Sequence, residues 1–420
     1  MIAAAWCGGS LAASLILMSR PVLAQEALRS SLAGDAAAEA RRVQPESLPY
    51  NFKSGDFRLL VTPSVGLDWN DNINTSKDNA EEDFILRPLV GLTASYPLTQ
   101  RNLLQLNVTF GYNNYFQHDE LSTWYVQSGS ELSFDIYVKD FWINFHDRFS
   151  YVQDSAQQAA VANTGNYGTF QNTVGLNTTW DLEDVTLSLG YDHQDVLSTS
   201  QQFQSTDHAS EMLLARAGFR FQPRLTAGLE GTVSWTAYHQ PVLNNNTAYS
   251  AGIYADWQPG SYFHAQPRVG YVTYQFQQTS QSSFQTSDLN SWYADLTITH
   301  QITDAVSYTL SGGHEIRLGI QQADAIEDSY VRPGIIWNIF KDLRLQTYLS
   351  YEHGQQGVGN VTGNLTETYG WLGGGLALSY PIMKRLTAGL NYRLTLRSST
   401  NATREYTQNL VEILLTYHTL

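Results

Sequence analysis

The chain of 420 residues is short of cysteine, of charge and of long apolar runs, and each shortage excludes a class of protein. Its one cysteine, Cys7, can form neither a disulfide framework nor a thiolate metal site. Charged residues make up 15%, and the net charge of −15 comes without a basic stripe, which argues against nucleic acid as a partner. After the N-terminus no apolar run approaches the roughly 18 residues of a membrane helix.

Aromatic residues are plentiful instead, at 12%, and apolar residues are spread along the chain by alternation with polar ones. In residues 386–397 one face of an extended chain would carry Leu386, Ala388, Leu390, Tyr392, Leu394 and Leu396. Polar residues and glycine fill the positions between them. A period of two over ten or more residues predicts long β-strands with one continuous apolar face.

From residue 57 onward, these strand-like runs are joined alternately by short turns and by longer polar loops. The short turns, spaced about 36 to 44 residues apart, are Tyr96–Asn102, Lys139-Asp140, Asp181–Asp184, Gln222–Arg224, Gln258–Ser261, Thr303–Ala305, Lys341-Asp342 and Pro381–Arg385. The spacing would also suit propeller blades, but blades need four short strands each, and these runs have twelve or more residues. Nine long hairpins predict an all-β fold, a transmembrane antiparallel up-and-down β-barrel of about 18 strands over residues 57–420.

The barrel prediction carries a topology and a location. An even number of strands places both termini and the short turns in the periplasm and the long loops outside the cell, in a bacterial outer membrane. The barrel must close, because an open edge in lipid leaves backbone groups unpaired. We expect the outer-membrane lipid as a partner. The barrel-assembly machinery is a second one, because the last strand carries an outward apolar series, Val411, Ile413, Leu415 and Tyr417.

The N-terminus differs from the repeat. Residues 1–24 are predicted to be a signal peptide, with an apolar stretch through Leu11–Met18 and small or aliphatic residues before Gln25. Residues 25–56 are rich in alanine near their start and contain two prolines near their end, which predicts a periplasmic extension. This extension is either a flexible tail or a plug inside the barrel.

Alternation places many charged residues on the inward face. The predicted pore-lining arginines are Arg58, Arg87, Arg148, Arg216, Arg220, Arg268, Arg317, Arg332, Arg344, Arg393 and Arg397. The predicted pore-lining carboxylates include Glu131, Asp135, Glu230, Asp256 and Asp295, and further acidic residues on this face are Asp68, Asp192, Glu315, Glu352 and Glu412. Such a wall either filters a polar solute or forms a network of ion pairs that stiffens the barrel.

The size of the barrel predicts an open channel. Eighteen strands leave an aqueous lumen unless something fills it, and no loop exceeds about fifteen residues, so we expect no constriction loop inside the pore. Inward aromatic residues could stack on sugar rings or fill space against neighbouring strands: Tyr125, Tyr137, Trp142, Tyr254, Tyr274, Tyr293 and Tyr348.

An enzyme is not expected. The nucleophile elbow of hydrolases is absent, and the ten histidines lack the paired helical spacing of a zinc site, so we predict no catalytic residues, no metal and no cofactor. The one alternative is a hydrolase dyad on the barrel wall, for which His146 and Ser150 are the candidates.

The first predicted hairpin carries a family resemblance. It contains Gly66-Leu67-Asp68-Trp69-Asn70-Asp71-Asn72-Ile73, then Asp83-Phe84-Ile85 with Pro88, and then Leu103–Tyr115. These segments, about fifty residues in all, resemble the β-barrel porins often encoded beside exopolysaccharide biosynthesis genes. The resemblance implies an outer-membrane pore and raises the possibility of exopolysaccharide export. It assigns no roles to individual residues.

Two hypotheses follow for the function. The first is a pore that passes polar solutes or exports a polysaccharide, and the second is a structural or adhesive barrel without a conducted substrate.

Overall fold

The computed structural model describes residues 48–240, 245–277, 287–319, 325–340, 342–358 and 366–418. The predicted signal peptide and residues 25–47 of the predicted extension lie outside the described residues. The strands are β1 (Phe52–Ser54), β2 (Phe57–Asn70), β3 (Asp83–Pro97), β4 (Leu103–Tyr115), β5 (Thr123–Val138), β6 (Phe141–Gln153), β7 (Gly168–Asp181), β8 (Val185–Ser198), β9 (His208–Gln222), β10 (Leu225–Tyr238), β11 (Asn246–Gly260), β12 (Phe263–Phe276), β13 (Leu289–Thr303), β14 (Val306–Leu318), β15 (Ala325–Asn338), β16 (Arg344–Gln356), β17 (Glu367–Met383), β18 (Leu386–Ser399) and β19 (Tyr406–Tyr417).

Strands β2 to β19 form one closed antiparallel barrel. Each strand pairs with the next along the chain, and β19 returns to pair with β2, from Leu410 opposite Asn70 to Thr416 opposite Ser64. The prediction of an 18-stranded up-and-down barrel is therefore confirmed. The hairpin repeat predicted this fold because each short turn lies between two long strands, as at Lys139-Asp140 between β5 and β6.

The two faces of the wall differ as the alternation requires. On β2, Val65 and Leu67 are each 41% exposed, whereas Asp68 between Leu67 and Trp69 is 1% exposed. The apolar side chains thus cover the outside, and the polar ones face the lumen. Among the described residues, no helix has the length and apolar character needed to cross a membrane.

The short strand β1 completes the seam of the barrel. Strand β19 covers β2 only from Ser64 to Asn70, which leaves the first half of β2 without that partner. Strand β1 pairs with Phe57–Leu59, and the Asn51 side chain hydrogen-bonds both the N–H and the C=O of Val61. This last part of the predicted extension therefore covers an edge that would otherwise be open.

The wall is folded inward at one place. The ladder between β13 and β14 runs from Thr303 to Ala294, opposite Val306 to His314, whereas both strands continue beyond it. Above this point Ile316 and Leu318 of β14 pack in one buried cluster with Leu289 and other inward residues. The upper ends of β14 and β15 thus lie inside the barrel, against the inner face of its wall.

Candidate pore constriction

A loop crosses the lumen. Residues 154–167, between β6 and β7, are named the inner loop here. Its small residues are buried, with Ala156 at 0% and Ala159, Ala160 and Val161 at 1% exposure. The expectation that no constriction loop enters the pore is therefore wrong. The length of a loop does not decide whether it enters the pore, because even a loop of this size crosses the lumen when residues of the opposite wall bind it.

The inner loop is fastened to β17 and β18 by side-chain donors. Arg393 makes a two-pronged contact with Asp154, at 2.7 Å from Nη1 to Oδ2 and 3.3 Å from Nη2 to Oδ1. Arg397 donates from Nε to the carbonyl oxygen of Ala159 at 2.7 Å, and Trp371 donates from Nε1 to that of Ala156 at 3.2 Å. Two of the predicted pore-lining arginines thus hold the loop in place.

Glu367 joins this fastening to the loop between β18 and β19. Its carboxylate accepts from Arg397 at 2.7 Å and forms an ion pair with Arg404 at 2.9 Å. Arg404 also donates to the carbonyl oxygen of Ala160. Each guanidinium therefore bridges a carboxylate and a loop carbonyl, a geometry that suits the planar fork of arginine donors.

The charge on Asp154 is stabilised at this position. Burial alone would raise the pKa of Asp154, but the charge and hydrogen bonds of Arg393, with a further bond from Gln157, outweigh it and hold the pKa below its usual range. The loop end is thus anchored by a carboxylate that stays ionised in neutral and mildly acidic water.

An apolar cluster contacts the inner loop from other sides of the lumen. Ala159, Ala160 and Val161 pack with Tyr167, Phe203, Ile326 and Tyr369 in one buried cluster. Phe203 belongs to the loop between β8 and β9, and Ile326 lies at the top of β15. The inner loop therefore contacts the inward-folded end of β15.

Beside this contact lies a buried charge cluster. Arg317 pairs with Glu352 at 2.6 Å and lies 3.8 Å from Asp328, while Arg332 reaches the other oxygen of Glu352 at 3.4 Å. The hydroxyl of Tyr369 donates to Glu352 at 3.2 Å. Two predicted pore-lining arginines thus share one carboxylate.

Two further clusters join neighbouring strands. Glu230 forms ion pairs with Arg268 at 3.2 Å and Arg216 at 3.5 Å and accepts from the Tyr293 hydroxyl at 3.0 Å. Arg87 pairs with Asp68 at 2.8 Å and also contacts Glu412.

The other predicted residues make local contacts. Arg148 lies 3.4 Å from Glu131, and Arg220 contacts Asp181 at 3.3 Å. The remaining contacts are Asp135 with Asn144 and Trp142, Asp256 with His264 and Gln266, Asp295 with the Tyr330 hydroxyl, and Arg58 over the Tyr50 ring. Arg344 is the first residue of β16 and lies at the end of the barrel where the short turns are. That these residues line a conducting path stays a prediction.

Tyrosine rings lie over glycines of neighbouring strands, a feature that the sequence reasoning missed. A Cβ added to Gly354 would overlap the ring of Tyr369, and one added to Gly111 would lie 2.6 Å from the ring of Tyr125. Tyr293 covers Gly270 in the same way. These rings fill space against the wall, the second of the two roles considered for the inward aromatics. Glycines at regular positions in otherwise apolar strands were the available signal.

The candidate catalytic dyad is not assembled. The two ring nitrogens of His146 contact Asn144 Oδ1 at 3.0 Å and Asp192 Oδ1 at 2.7 Å, and these contacts direct the ring away from a base role toward Ser150. In the part of the chain that the structure describes, no group of three His, Cys, Asp or Glu side chains is arranged to hold a metal.

Solved structures share the barrel. OccK5 (OpdH) of Pseudomonas aeruginosa is 11% identical, with a TM-score of 0.47 over 86% of this chain and 98% of that one. A BenF-like porin from Pseudomonas fluorescens Pf-5 is 9% identical, with a TM-score of 0.49 over 87% and 99%. OccK2 (OpdF) of Pseudomonas aeruginosa, solved with glucuronate, is 11% identical, with a TM-score of 0.48 over 86% and 98%. No family model and no curated protein matches the chain. At these identities and TM-scores the likeness is one of fold alone.

Proposed function

We propose that this protein is a channel of the bacterial outer membrane that passes small polar solutes through a narrowed lumen. The observation that carries the proposal is the inner loop, which crosses the lumen and is fastened by Arg393, Arg397 and Trp371. A barrel that served only as an anchor would gain nothing from a loop held across its interior by arginines of the opposite wall. The apolar outside and polar inside of the wall suit a pore that spans lipid.

The constriction bears on the size of the solute. The inner loop occupies lumen that a polysaccharide chain would need, and its anchors would have to break to let a polymer pass. Export of an exopolysaccharide therefore requires release of the inner loop, whereas small solutes could pass beside it. The arginines and carboxylates of the inward face are nearly equal in number, so the proposed channel has weak charge selectivity.

One observation favours the second hypothesis, a structural or adhesive barrel. Many inward side chains are buried against one another rather than facing an open lumen, among them Arg317, Glu352 and Tyr293. A barrel filled along its whole length would carry no current.

Single-channel recording in a planar bilayer separates the two. The purified protein should give discrete current steps, and liposomes that contain it should swell in monosaccharides faster than in larger oligosaccharides. Release of the loop in the Arg393→Ser/Arg397→Ser variant should reduce this discrimination. A silent barrel, both before and after the loop is released, would leave the structural hypothesis as the better one.

Orientation is tested separately by thiol labelling. The predicted mature chain has no cysteine, so single cysteines can be placed freely. An impermeant thiol reagent should label Asp78→Cys, in the long β2–β3 loop, on intact cells, and should label Asp342→Cys, in a short turn, only after lysis. The reverse pattern would invert the barrel in the membrane.

A further inference from the structure

The upper ends of β14 and β15 have separated from β13, although β15 stays paired with β16 through Ile326–Asp328. Residues 315–318 and 325–328 pair with one another and are named the flap here. The ladder that joins β14 to β13 stops below the flap, at Ala294 opposite His314. Residues Leu289 to Tyr293 of β13 thus lie beyond the end of the β13–β14 ladder.

The flap packs with its outer face on the inner face of the wall. Ile316 and Leu318, which alternate with inward Arg317, lie in a cluster with Leu289, Tyr293 and other inward residues of β9–β13. Ile316 is only 2% exposed. The Tyr274 hydroxyl lies 3.5 Å from the carbonyl oxygen of Ile316, within reach of a weak hydrogen bond from an inward side chain. The flap therefore lies in a second layer inside the barrel.

Polar side chains hold the flap where the ladder ends. Glu327 Oε1 accepts from the Ser291 hydroxyl at 3.3 Å and lies 3.2 Å from His314 Nε2. The other ring nitrogen of His314 contacts the Ser329 hydroxyl at 2.9 Å. The ring of Trp292 stacks on His314, with centroids 4.1 Å apart. We name Ser291, His314 and Glu327 the latch.

The sequence also suits a second position of the flap. If the ladder continued in the same register, Trp292 would lie opposite Ile316 and Ser291 opposite Arg317. Ile316 and Leu318 would then face outward beside Trp292, which is already 52% exposed. Apolar side chains at those positions are what a lipid-facing wall requires, and the backbone groups along the β13 edge would gain partners.

We propose that the flap is a gate that exchanges between the lumen, where it meets the inner loop through Ile326, and the wall, where it extends the β13–β14 ladder. In the first position the latch and the apolar cluster hold it, and in the second the backbone ladder does. The consequence for conduction rests on the proposed pore, whereas the movement itself does not. Exchange would widen the lumen without any change in the inner loop.

Cysteine pairs distinguish the two positions. Trp292→Cys/Ile316→Cys should bridge only when the flap is in the wall, because directly opposed residues of antiparallel strands lie about 4.5 to 5.5 Å apart at Cβ. With the flap in the lumen the two side chains lie on different sides of the wall. Ser291→Cys/Glu327→Cys, bridged by a short bifunctional thiol reagent, should hold the flap in the lumen. Thr297→Cys/Ser311→Cys, paired within the existing ladder, is the matched control.

Cross-linking is measured in membranes by mass spectrometry, and conductance in a planar bilayer. We expect the 292–316 bridge to form under mild oxidation and to raise conductance severalfold, reversibly with reductant. The 291–327 bridge should keep conductance low, and the control bridge should leave it unchanged. The gate is refuted if the control bridges and the 292–316 pair does not, or if the 292–316 bridge leaves an active channel unaltered. Absence of current in every variant would overturn the proposed channel function. The cross-linking results would still show whether the flap exchanges between its two positions.

Discussion

Arg397 and Ala159 are 238 residues apart in the chain, and the Arg397 Nε donates to the Ala159 carbonyl oxygen at 2.7 Å. The arginine lies on β18 and the alanine in the loop after β6, so the bond joins two parts of the wall through the lumen. A charged donor that binds a loop carbonyl fixes the path of the backbone whatever side chain that residue carries. The loop can therefore consist of small residues.

Loss of this donor should release the inner loop. In Arg397→Ser the carbonyl oxygen of Ala159 loses its charged donor, which costs about 1–3 kcal/mol for a buried acceptor. We expect larger conductance steps and a noisier open current in bilayer recordings. Arg344→Ser, on the inward face of β16, is the control and should leave step size unchanged. Equal effects of both substitutions would mean that net charge matters and the anchor does not.

Acid should release the loop only at low pH. The pKa of Asp154 is held below its usual range by Arg393, so the ion pair stabilises the loop above the unfolded value of about 4 and is lost as pH falls through the lower folded value. Conductance should therefore stay constant from neutral pH down to about 4 and rise below it. Asp154→Asn should abolish this acid transition. A conductance transition centred near neutral pH would show that a group other than Asp154 is responsible.

Gly354 should tolerate no side chain. A Cβ there overlaps the ring of Tyr369, and overpacking of this kind costs about 1–3 kcal/mol. Gly354→Ala should lower the urea midpoint of the folded barrel in lipid vesicles. Gly389→Ala, where the nearest atom would be 3.6 Å away, should be nearly neutral. The double variant Gly354→Ala/Tyr369→Ala should lower the urea midpoint by less than the sum of the two single substitutions. Full additivity would argue against contact between the two residues.

Arginine substitutions should distinguish the two faces of β18. Leu390 is among the exposed large apolar residues, and arginine at a lipid-facing position near the midplane costs roughly 2–4 kcal/mol. Arginine at Asn391 should be tolerated, because Asn391 donates to Glu412 and a cation there keeps a carboxylate partner. Urea unfolding in vesicles measures both. If Asn391→Arg were the more damaging, the assignment of faces would be reversed.

The barrel itself could be read from local pattern. A lipid-facing strand must alternate over its whole length, so residues 386–397 predicted both a strand and its two faces, and the turn at Lys139-Asp140 marked a hairpin end. Strand number followed from the repeat, since each hairpin contributes two strands. These features are local because the surrounding lipid imposes the same requirement on every strand.

The interior was decided by contacts between residues far apart in the chain. From sequence, the alanines of the inner loop belong to an ordinary polar loop, and only the tertiary structure brings Arg397 and Trp371 to their carbonyl oxygens. The rings over Gly354 and Gly111 likewise depend on how neighbouring strands are shifted along one another. Alternation with the predicted inward Arg317 would put Ile316 on the outside of the wall, whereas in the flap it is buried inside. Period-two patterning assigns a residue to one of two faces of a strand. It does not specify whether that strand stays in the wall, because that depends on which neighbour pairs with its edge.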